Sequence, residues 1–336
     1  MLKNILITGG AGFIGSNFVR YLLKTNPVCK VINLDKLTYA GNLDNLEDIS
    51  ADPRYRFVKG DICNERVLEP LVARVDTIIN FAAETHVDRS ILSSDDFLKT
   101  NILGLNLLLK LALKHKIKKF IQISTDEVYG SIDKGKFKET DTIDPSSPYS
   151  SSKAAGDILA LSYFKTYNLP VVITRSSNNF GPFQYPEKVI PLFITNALEN
   201  QYLPLYGDGL NVRDWIFVED NCRAIDIVLK KGRPGEVYNI GGSCEKTNRE
   251  LTDLILRLTG KPKSLIKRVK DRPGHDRRYA LDTKKIEFLG WKQRYDFMDA
   301  LKLTIDWYIR NETWWQRVKE KSAFKAHYQK WYRRSH

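Results

Sequence analysis

Asn4-Ile5-Leu6-Ile7-Thr8-Gly9-Gly10-Ala11-Gly12-Phe13-Ile14-Gly15-Ser16 is a short apolar run that breaks into glycines and then takes up a helical pattern. Gly9, Gly12 and Gly15 follow the spacing G-x-x-G-x-x-G. Glycines so placed let the backbone turn tightly, approach a pyrophosphate and pack a helix on a strand, while N–H groups at the helix start hold the anion. Asp35 closes a second apolar run twenty residues after Gly15. A carboxylate there accepts hydrogen bonds from ribose hydroxyls and repels a 2′-phosphate, which favours NAD over NADP. Lys36 is a mild counter-signal. Asp61-Ile62 and Phe81-Ala82-Ala83, after the third and fourth runs, are the expected places for adenine and ribose contacts.

Short β-branched runs alternate with longer helical patterns, which argues for parallel strands joined by crossover helices. Strands are predicted over 4–8, 30–35, 56–60, 77–82, 120–124 and 171–175, and helices over 12–24, 65–73, 95–116 and 149–167. The fold class is α/β, a doubly wound parallel sheet with a smaller C-terminal substrate-binding α/β region. Residues 1–175 read as the NAD-binding part carrying the catalytic residues, and 176–336 mainly as the substrate-binding part. The run 236–241 reads as a buried strand returning to the main sheet.

A chain of 336 residues with 42% hydrophobic composition buries a large core. No stretch reaches the ~20 apolar residues that cross a bilayer, and Met1-Leu2-Lys3-Asn4 leads straight into a strand, so a cytoplasmic location is expected. Cys29, Cys63, Cys222 and Cys244 show neither CxxC spacing nor a histidine partner and read as reduced thiols, with no metal. The net charge of +13 calls for an anionic partner. From Thr313 to His336 seven basic residues face the single Glu320, interleaved with Trp314, Trp315, Phe324, Tyr328, Trp331 and Tyr332. This pattern reads as a terminal amphipathic helix docked on its own domain in preference to a nucleic-acid contact. The apolar helices over 101–116 and 149–167 suit burial on the sheet and against a second subunit, hence a homodimer.

Thr125-Asp126-Glu127 follows the fifth strand and precedes Tyr149-Ser150-Ser151-Ser152-Lys153. Tyrosine and lysine at i and i+4 share a helix face, so the ammonium favours the phenolate and supplies a base for oxidising an alcohol. A carboxyl pair adds what dehydrogenation alone does not need: one group takes a C–H proton and the other protonates a departing hydroxyl. Neighbouring strand residues point to opposite faces, so the three converge only if the strand ends there.

These segments, with Leu37-Thr38-Tyr39-Ala40-Gly41-Asn42-Leu43, Ala82-Ala83-Glu84-Thr85-His86-Val87-Asp88-Arg89-Ser90, Ser177-Asn178-Asn179-Phe180-Gly181-Pro182-Phe183-Gln184-Tyr185-Pro186-Glu187-Lys188 and Asp271-Arg272-Pro273-Gly274-His275-Asp276-Arg277-Arg278-Tyr279, resemble the extended short-chain dehydrogenase/reductases, and among them the dTDP-glucose 4,6-dehydratases. The resemblance covers almost the whole chain and implies a Rossmann-like fold and a hydro-lyase of deoxysugar biosynthesis. It implies that Tyr149, helped by Lys153, deprotonates the C4 hydroxyl of the sugar while C4 gives hydride to NAD+. Glu127 then removes the C5 proton, Asp126 protonates the C6 hydroxyl as it leaves, and hydride returns to C6. Thr125 holds the C4 oxygen. It further implies cofactor contacts from Phe13, Ile14, Lys36, Thr38, Thr100 and Asn179. For the sugar nucleotide it implies contacts from Thr85, Asn178, Lys188, Val189, Pro204, Tyr206, Arg213, Asn248, Arg272 and His275. A guanidinium fork such as Arg213 or Arg272 suits a diphosphate. Two other functions fit parts of the pattern: a 4-epimerase needing only Tyr149, Lys153 and Thr125, and a non-enzymatic nucleotide- or nucleic-acid-binding protein using the basic tail.

Overall fold

The computed structural model describes residues 3–271 and 273–329. Among the described residues twelve strands succeed one another: β1 Asn4–Thr8, β2 Lys30–Asp35, β3 Tyr55–Lys59, β4 Thr77–Asn80, β5 Lys119–Thr125, β6 Val171–Ser176, β7 Asn178–Phe180, β8 Leu203–Tyr206, β9 Val212–Phe217, β10 Val237–Ile240, β11 Glu245–Thr247 and β12 Ile266–Val269. Seven of them form one sheet in the order β10-β6-β5-β4-β1-β2-β3, and every pairing in it is parallel. Side chains such as Ile5, Leu6 and Ile7 in β1, or Val171, Val172 and Ile173 in β6, are buried on both faces, as a helix-covered parallel sheet requires. Ile7 packs in one core with Phe18 and Trp215, and Leu6 in the other with Leu108 and Phe120, following the two-residue period of a strand. This is a Rossmann-like, doubly wound sheet. Its winding direction reverses between β1 and β4, and at such a reversal a crevice opens beyond the carboxyl ends of the strands.

Downstream of β6 two smaller sheets follow, β11-β9-β7 and β12-β8. The chain nevertheless comes back: β10 pairs with β6 at the edge of the main sheet, with Val237 opposite Ile173.

Two elements that shape the site depart from expectation. The helix expected over 95–116 is in three pieces, Asp95–Leu98, a π-helical turn Lys99–Gly104, and Leu105–Lys114. The interruption turns Asn101 inward, where its side chain meets Glu84 N, Glu84 O and Ser152 Oγ. At Gly104 a Cβ would stand 2.8 Å from Ile62, so the break also brings this turn close to the end of β3. Such one-turn π interruptions recur at functional sites. The second departure is β5, expected to end at 124. It runs to Thr125 and passes directly into a 3₁₀ turn, Asp126–Tyr129.

The basic, aromatic C-terminal segment forms two short helices, Glu312–Glu320 and Ser322–Tyr328, in place of one. Trp315, Val318 and Phe324 are buried against the main body, so the described part is docked on its own chain. Lys330, Trp331, Tyr332, Arg333 and Arg334 lie outside the described residues.

The helix Pro148–Tyr167 is fixed to β6 by a buried ion pair, Arg175 Nε to Asp157 Oδ2 at 2.9 Å, with the guanidinium 4.7 Å from the Tyr129 ring centre. Removing one partner of such a pair leaves a buried charge alone, at a cost of about 3–5 kcal/mol, whereas replacing both by apolar groups is often near neutral. Arg175→Met is therefore expected to lower unfolding free energy by about 3–5 kcal/mol, and Arg175→Met/Asp157→Leu by clearly less, as denaturant titration of the two variants would reveal.

Candidate active site

The crevice at the reversal of the sheet is a cavity whose floor is made by the loops after β1, β2, β4, β5 and β6. At one end lies the glycine turn. Gly9 has φ +72°, and a Cβ on it would stand 2.6 Å from Ala82 N. A Cβ on Gly15 would stand 2.4 Å from Gly9 O, so backbone meets backbone here and no larger residue fits without a shift. The helix Phe13–Thr25 then begins at Gly12 with no acidic residue in its first turn and no side-chain cap. Its N–H groups face the cavity as an anion cradle.

Asp35 is held by two amides, Ala11 N to Oδ2 at 2.9 Å and Leu37 N to Oδ1 at 2.8 Å. Burial raises its carboxyl above the usual range and these two bonds oppose that. Lys36 pairs with Asp61 at 2.9 Å, so its charge is matched within the chain. These features fit a dinucleotide whose diphosphate sits on the cradle and whose ribose meets Asp35. Among the described residues no group of three His, Cys, Asp or Glu could hold a metal ion.

The chemical end is built by two elements. Ser147 caps the helix Pro148–Tyr167 through a reciprocal capping box with Ser150, with Pro148 at the first position, so Tyr149 stands in the first helical turn. Lys153, one turn on, is buried and donates from Nζ to Ile123 O at 2.6 Å. Desolvation lowers its pKa to about 8, partly opposed by Asp157. Tyr149 is buried too, and its phenol is pushed up, first by burial and then by the Glu127 charge, while the Thr85 and Thr125 hydroxyls oppose. The lysine at i+4 that the sequence offers as the helping cation stands one helical turn away, while burial and the carboxylates act against the phenolate. The positive end of the helix and the two hydroxyls are what favour the phenolate.

The 3₁₀ turn after β5 is what brings Thr125, Asp126 and Glu127 together. Thr125 Oγ1 accepts from Glu127 N at 3.2 Å, capping the turn, and lies 3.2 Å from Asp126 Oδ1. Asp126 is 2% exposed, and its Oδ2 has no hydrogen-bond partner among the described residues. Its pKa is raised far above the carboxylate range by burial, then by the charges of Glu127 and Asp214, with Arg213 opposing. Burial and the neighbouring carboxylates thus favour the protonated, proton-donating form of Asp126, beside Glu127.

The cavity wall includes Gly9, Gly12, Phe13, Ile14, Gly15, Asp35, Lys36, Thr38, Asp61, Ile62, Phe81, Ala82, Ala83 and Thr100, with Thr85, Asn178, Asn179, Lys188 and Val189 and all five catalytic candidates. Pro204, Tyr206, Arg213, Asn248 and His275 do not line it. Tyr206 donates to Asp88 Oδ2 at 3.2 Å and lies edge-on to His275, whose Nδ1 is 2.6 Å from Asp271. Arg213 donates to the carbonyls of Val212 and Asp276. Arg272 lies outside the described residues. The wall also holds Glu84, Gln184, Tyr185, Glu187, Ile190 and Trp215, which the sequence reading does not single out. A carboxylate inside the apolar, proline-flanked run 182–190 was the available signal for Glu187.

Over residues 6–304 the chain matches the family model described as GDP-mannose 4,6 dehydratase. A dTDP-glucose 4,6-dehydratase of Actinoplanes sp. is 53% identical over 317 residues, covering 93% of this chain and 99% of that protein. The dTDP-glucose 4,6-dehydratase of Streptomyces venezuelae, solved with NAD bound, has a TM-score of 0.91 and 51% identity over 94% of this chain and 100% of its own. The dTDP-glucose 4,6-dehydratase of Bacillus anthracis, solved in complex with NAD, has a TM-score of 0.89 and 53% identity, covering 94% of this chain and 100% of its own.

The contact made by a Cβ at Gly15 gives a direct test of the cradle. Gly15→Ala is expected to weaken NADH binding at least about tenfold, or 1.4 kcal/mol, in a fluorescence titration.

Proposed function

This chain belongs to the GDP-mannose 4,6-dehydratase family, and from that membership and the chemistry of its cavity we propose that it converts dTDP-glucose to dTDP-4-keto-6-deoxyglucose, with loss of water and with NAD as cofactor. It is a hydro-lyase. The observation that carries the reading is a cavity in which a dinucleotide cradle, a tyrosine–lysine pair and a pair of carboxyls, one of them buried with its pKa pushed up, all meet. An epimerase has no use for the last of these.

NAD, when bound, supplies reversible hydride acceptance, first from C4 and finally to C6 of the same sugar. The remaining chemistry falls to side chains. Tyr149 takes the proton of the C4 hydroxyl as that carbon is oxidised, with Lys153 as the nearby cation and Thr125 as the hydroxyl that holds the C4 oxygen. The ketone acidifies the C5–H bond, and Glu127 removes that proton. Asp126 gives its proton to the C6 hydroxyl, the C6–O bond breaks and water leaves. Reduction at C6 and return of a proton to C5 complete a cycle in which oxidation and reduction cancel. Desolvation suits Asp126 to this step, since an ionised carboxylate could not donate.

Residues 1–175 are read as the cofactor and catalytic part, and 176–336 as mainly the sugar-nucleotide part, with Asn178, Lys188 and Val189 on the cavity wall, and Pro204 and Tyr206 in β8, Arg213 in β9, Asn248 at the start of the helix Asn248–Thr259 and His275 off that wall. A homodimer is supported by Leu98, Leu103 and Ile158, three large apolar side chains left exposed on adjoining helices. A cytoplasmic location is supported by four free cysteines.

Incubation with dTDP-glucose is expected to yield the 4-keto-6-deoxy product, read by its absorbance in alkali; absence of product from any hexose nucleotide would defeat the reading. Asp126→Asn and Glu127→Gln should each slow product formation by about 10²–10⁴-fold, the usual worth of a general acid or base, while reduced cofactor still appears at 340 nm in a single turnover. Leu103→Lys/Ile158→Lys is expected to shift the sedimenting species from dimer to monomer, and an unchanged sedimentation coefficient would remove these helices from the interface.

A further inference from the structure

The aromatic C-terminal segment lies beyond the stretch matched by the family model, and nothing in the chemistry above uses it. Its contacts end in two places on the cavity. Trp314 Nε1 donates to Asn45 Oδ1 at 3.0 Å, and Asn45 Nδ2 donates to Ala11 O at 2.9 Å, inside the glycine turn. On the other side, the Phe324 ring packs on Tyr185 with centroids 6.3 Å apart, and Tyr308 donates to Gln184 O; Gln184 and Tyr185 are part of the cavity wall. Trp315 Nε1 donates to Tyr308 O at 2.8 Å, tying the two sets together.

Arg89 sits behind the same wall. Its guanidinium lies 3.7 Å over the Tyr39 ring and donates through Nε and Nη2 to Glu187 Oε2 at 3.2 and 2.9 Å. Nη2 also reaches Ala323 O, at 3.5 Å, in the last helix. Tyr39 belongs to the loop after β2, between the wall residues Thr38 and Ala40, and donates to Thr85 O at 3.0 Å. Glu187 is 5% exposed, so this pair is shielded from water and salt. Cofactor loop, sugar-side wall and C-terminal helix thus meet on one cation.

We propose that the helices Glu312–Glu320 and Ser322–Tyr328 form a clasp that holds the dinucleotide turn and the sugar-side wall at a fixed separation, with Arg89 as its positioning residue, so that NAD is retained through the cycle. A reaction that begins with oxidation at C4 and ends with reduction at C6 is completed only while sugar and cofactor stay together. The clasp rests on the cofactor assignment made above. It adds to that assignment a part of the chain that does not line the cavity.

The test needs no sugar nucleotide. Full-length protein loaded with NAD is mixed with excess NADH, and exchange is followed by NADH fluorescence. Phe324→Ala and Arg89→Lys are each expected to speed exchange at least tenfold, and the double variant no more than the faster single one, because the two act through one network. Phe324→Leu, which keeps apolar volume, should stay within threefold of the unaltered chain. In turnover, Phe324→Ala is expected to raise KM and leave kcat within about twofold. Exchange at the unaltered rate in both single variants overturns the clasp, as does a loss confined to kcat. Should Phe324→Ala prove insoluble, Arg89→Lys alone decides. An unaltered chain that holds no NAD overturns the cofactor assignment, and the clasp with it.

Discussion

Where β5 stops fixes what the cavity can do. In an extended strand Thr125 and Glu127 would face one side of the sheet and Asp126 the other, buried in the opposite layer. Because the backbone enters a 3₁₀ turn immediately after Thr125, with the threonine hydroxyl capping it, three consecutive side chains reach one volume. Gly130, at φ +78°, lets the chain leave that turn, and a Cβ on it would stand 2.3 Å from Asp144 O. The helix bearing Tyr149 and Lys153 is set against the same turn by packing of Ala154 with Val128 and Tyr129, and against the sheet by the Arg175–Asp157 pair. The proposed catalytic groups are thus placed by the ends of regular elements and by backbone bonds, which are stiffer supports than free loops.

Withdrawal from water then sorts these groups by protonation state. Lys153, with its pKa lowered to about 8, still carries its proton at neutral pH but has lost stabilisation relative to the unfolded chain. Between its folded value and the ordinary lysine value of about 10.4 the unfolded state binds more protons, so this group's contribution to stability improves as pH rises through that window. Asp126 is the opposite case. Its raised folded value means that the native state keeps a proton the unfolded state releases, so its contribution falls as pH rises above the usual carboxylate range. Near neutrality both groups work against the fold, a cost set against the two apolar cores that flank the sheet.

Most of the fold was legible because hydrophobic periodicity and glycine spacing are local. The runs at Asn4–Thr8 and Lys30–Asp35 match the observed strands residue for residue, and the glycine turn with Asp35 followed from positions close in the chain. What escaped depends on contacts distant in sequence. The π-helical turn at Lys99–Gly104 arises because Asn101 bonds to Glu84 and Ser152, seventeen and fifty-one residues away. Spacing shows the lysine one turn after Tyr149, yet not that its ammonium turns to the Ile123 carbonyl or that Glu127 lies close. Glu187 was hidden for the same reason, since its partner Arg89 is ninety-eight residues upstream.

The same distant contacts bear on how separable the two halves of the chain are. One continuous core contains Ile7 and Phe18 from the cofactor side, Trp215 and Phe217 from β9, and Trp315 and Phe324 from the C-terminal helices. β10 returns to the edge of the main sheet after two smaller sheets have been made. A boundary near Arg175 therefore does not divide the packing. A cavity whose opposite walls share a core is held in shape by fixed packing, and burial in that packing is what pushes the Asp126 carboxyl up and the Lys153 ammonium down. Fold and chemistry are coupled through that one apolar layer. A substitution far from the reacting carbons, among the aromatic side chains that join Phe183, Trp307 and Trp314, acts on the site by loosening the layer, without touching a catalytic group.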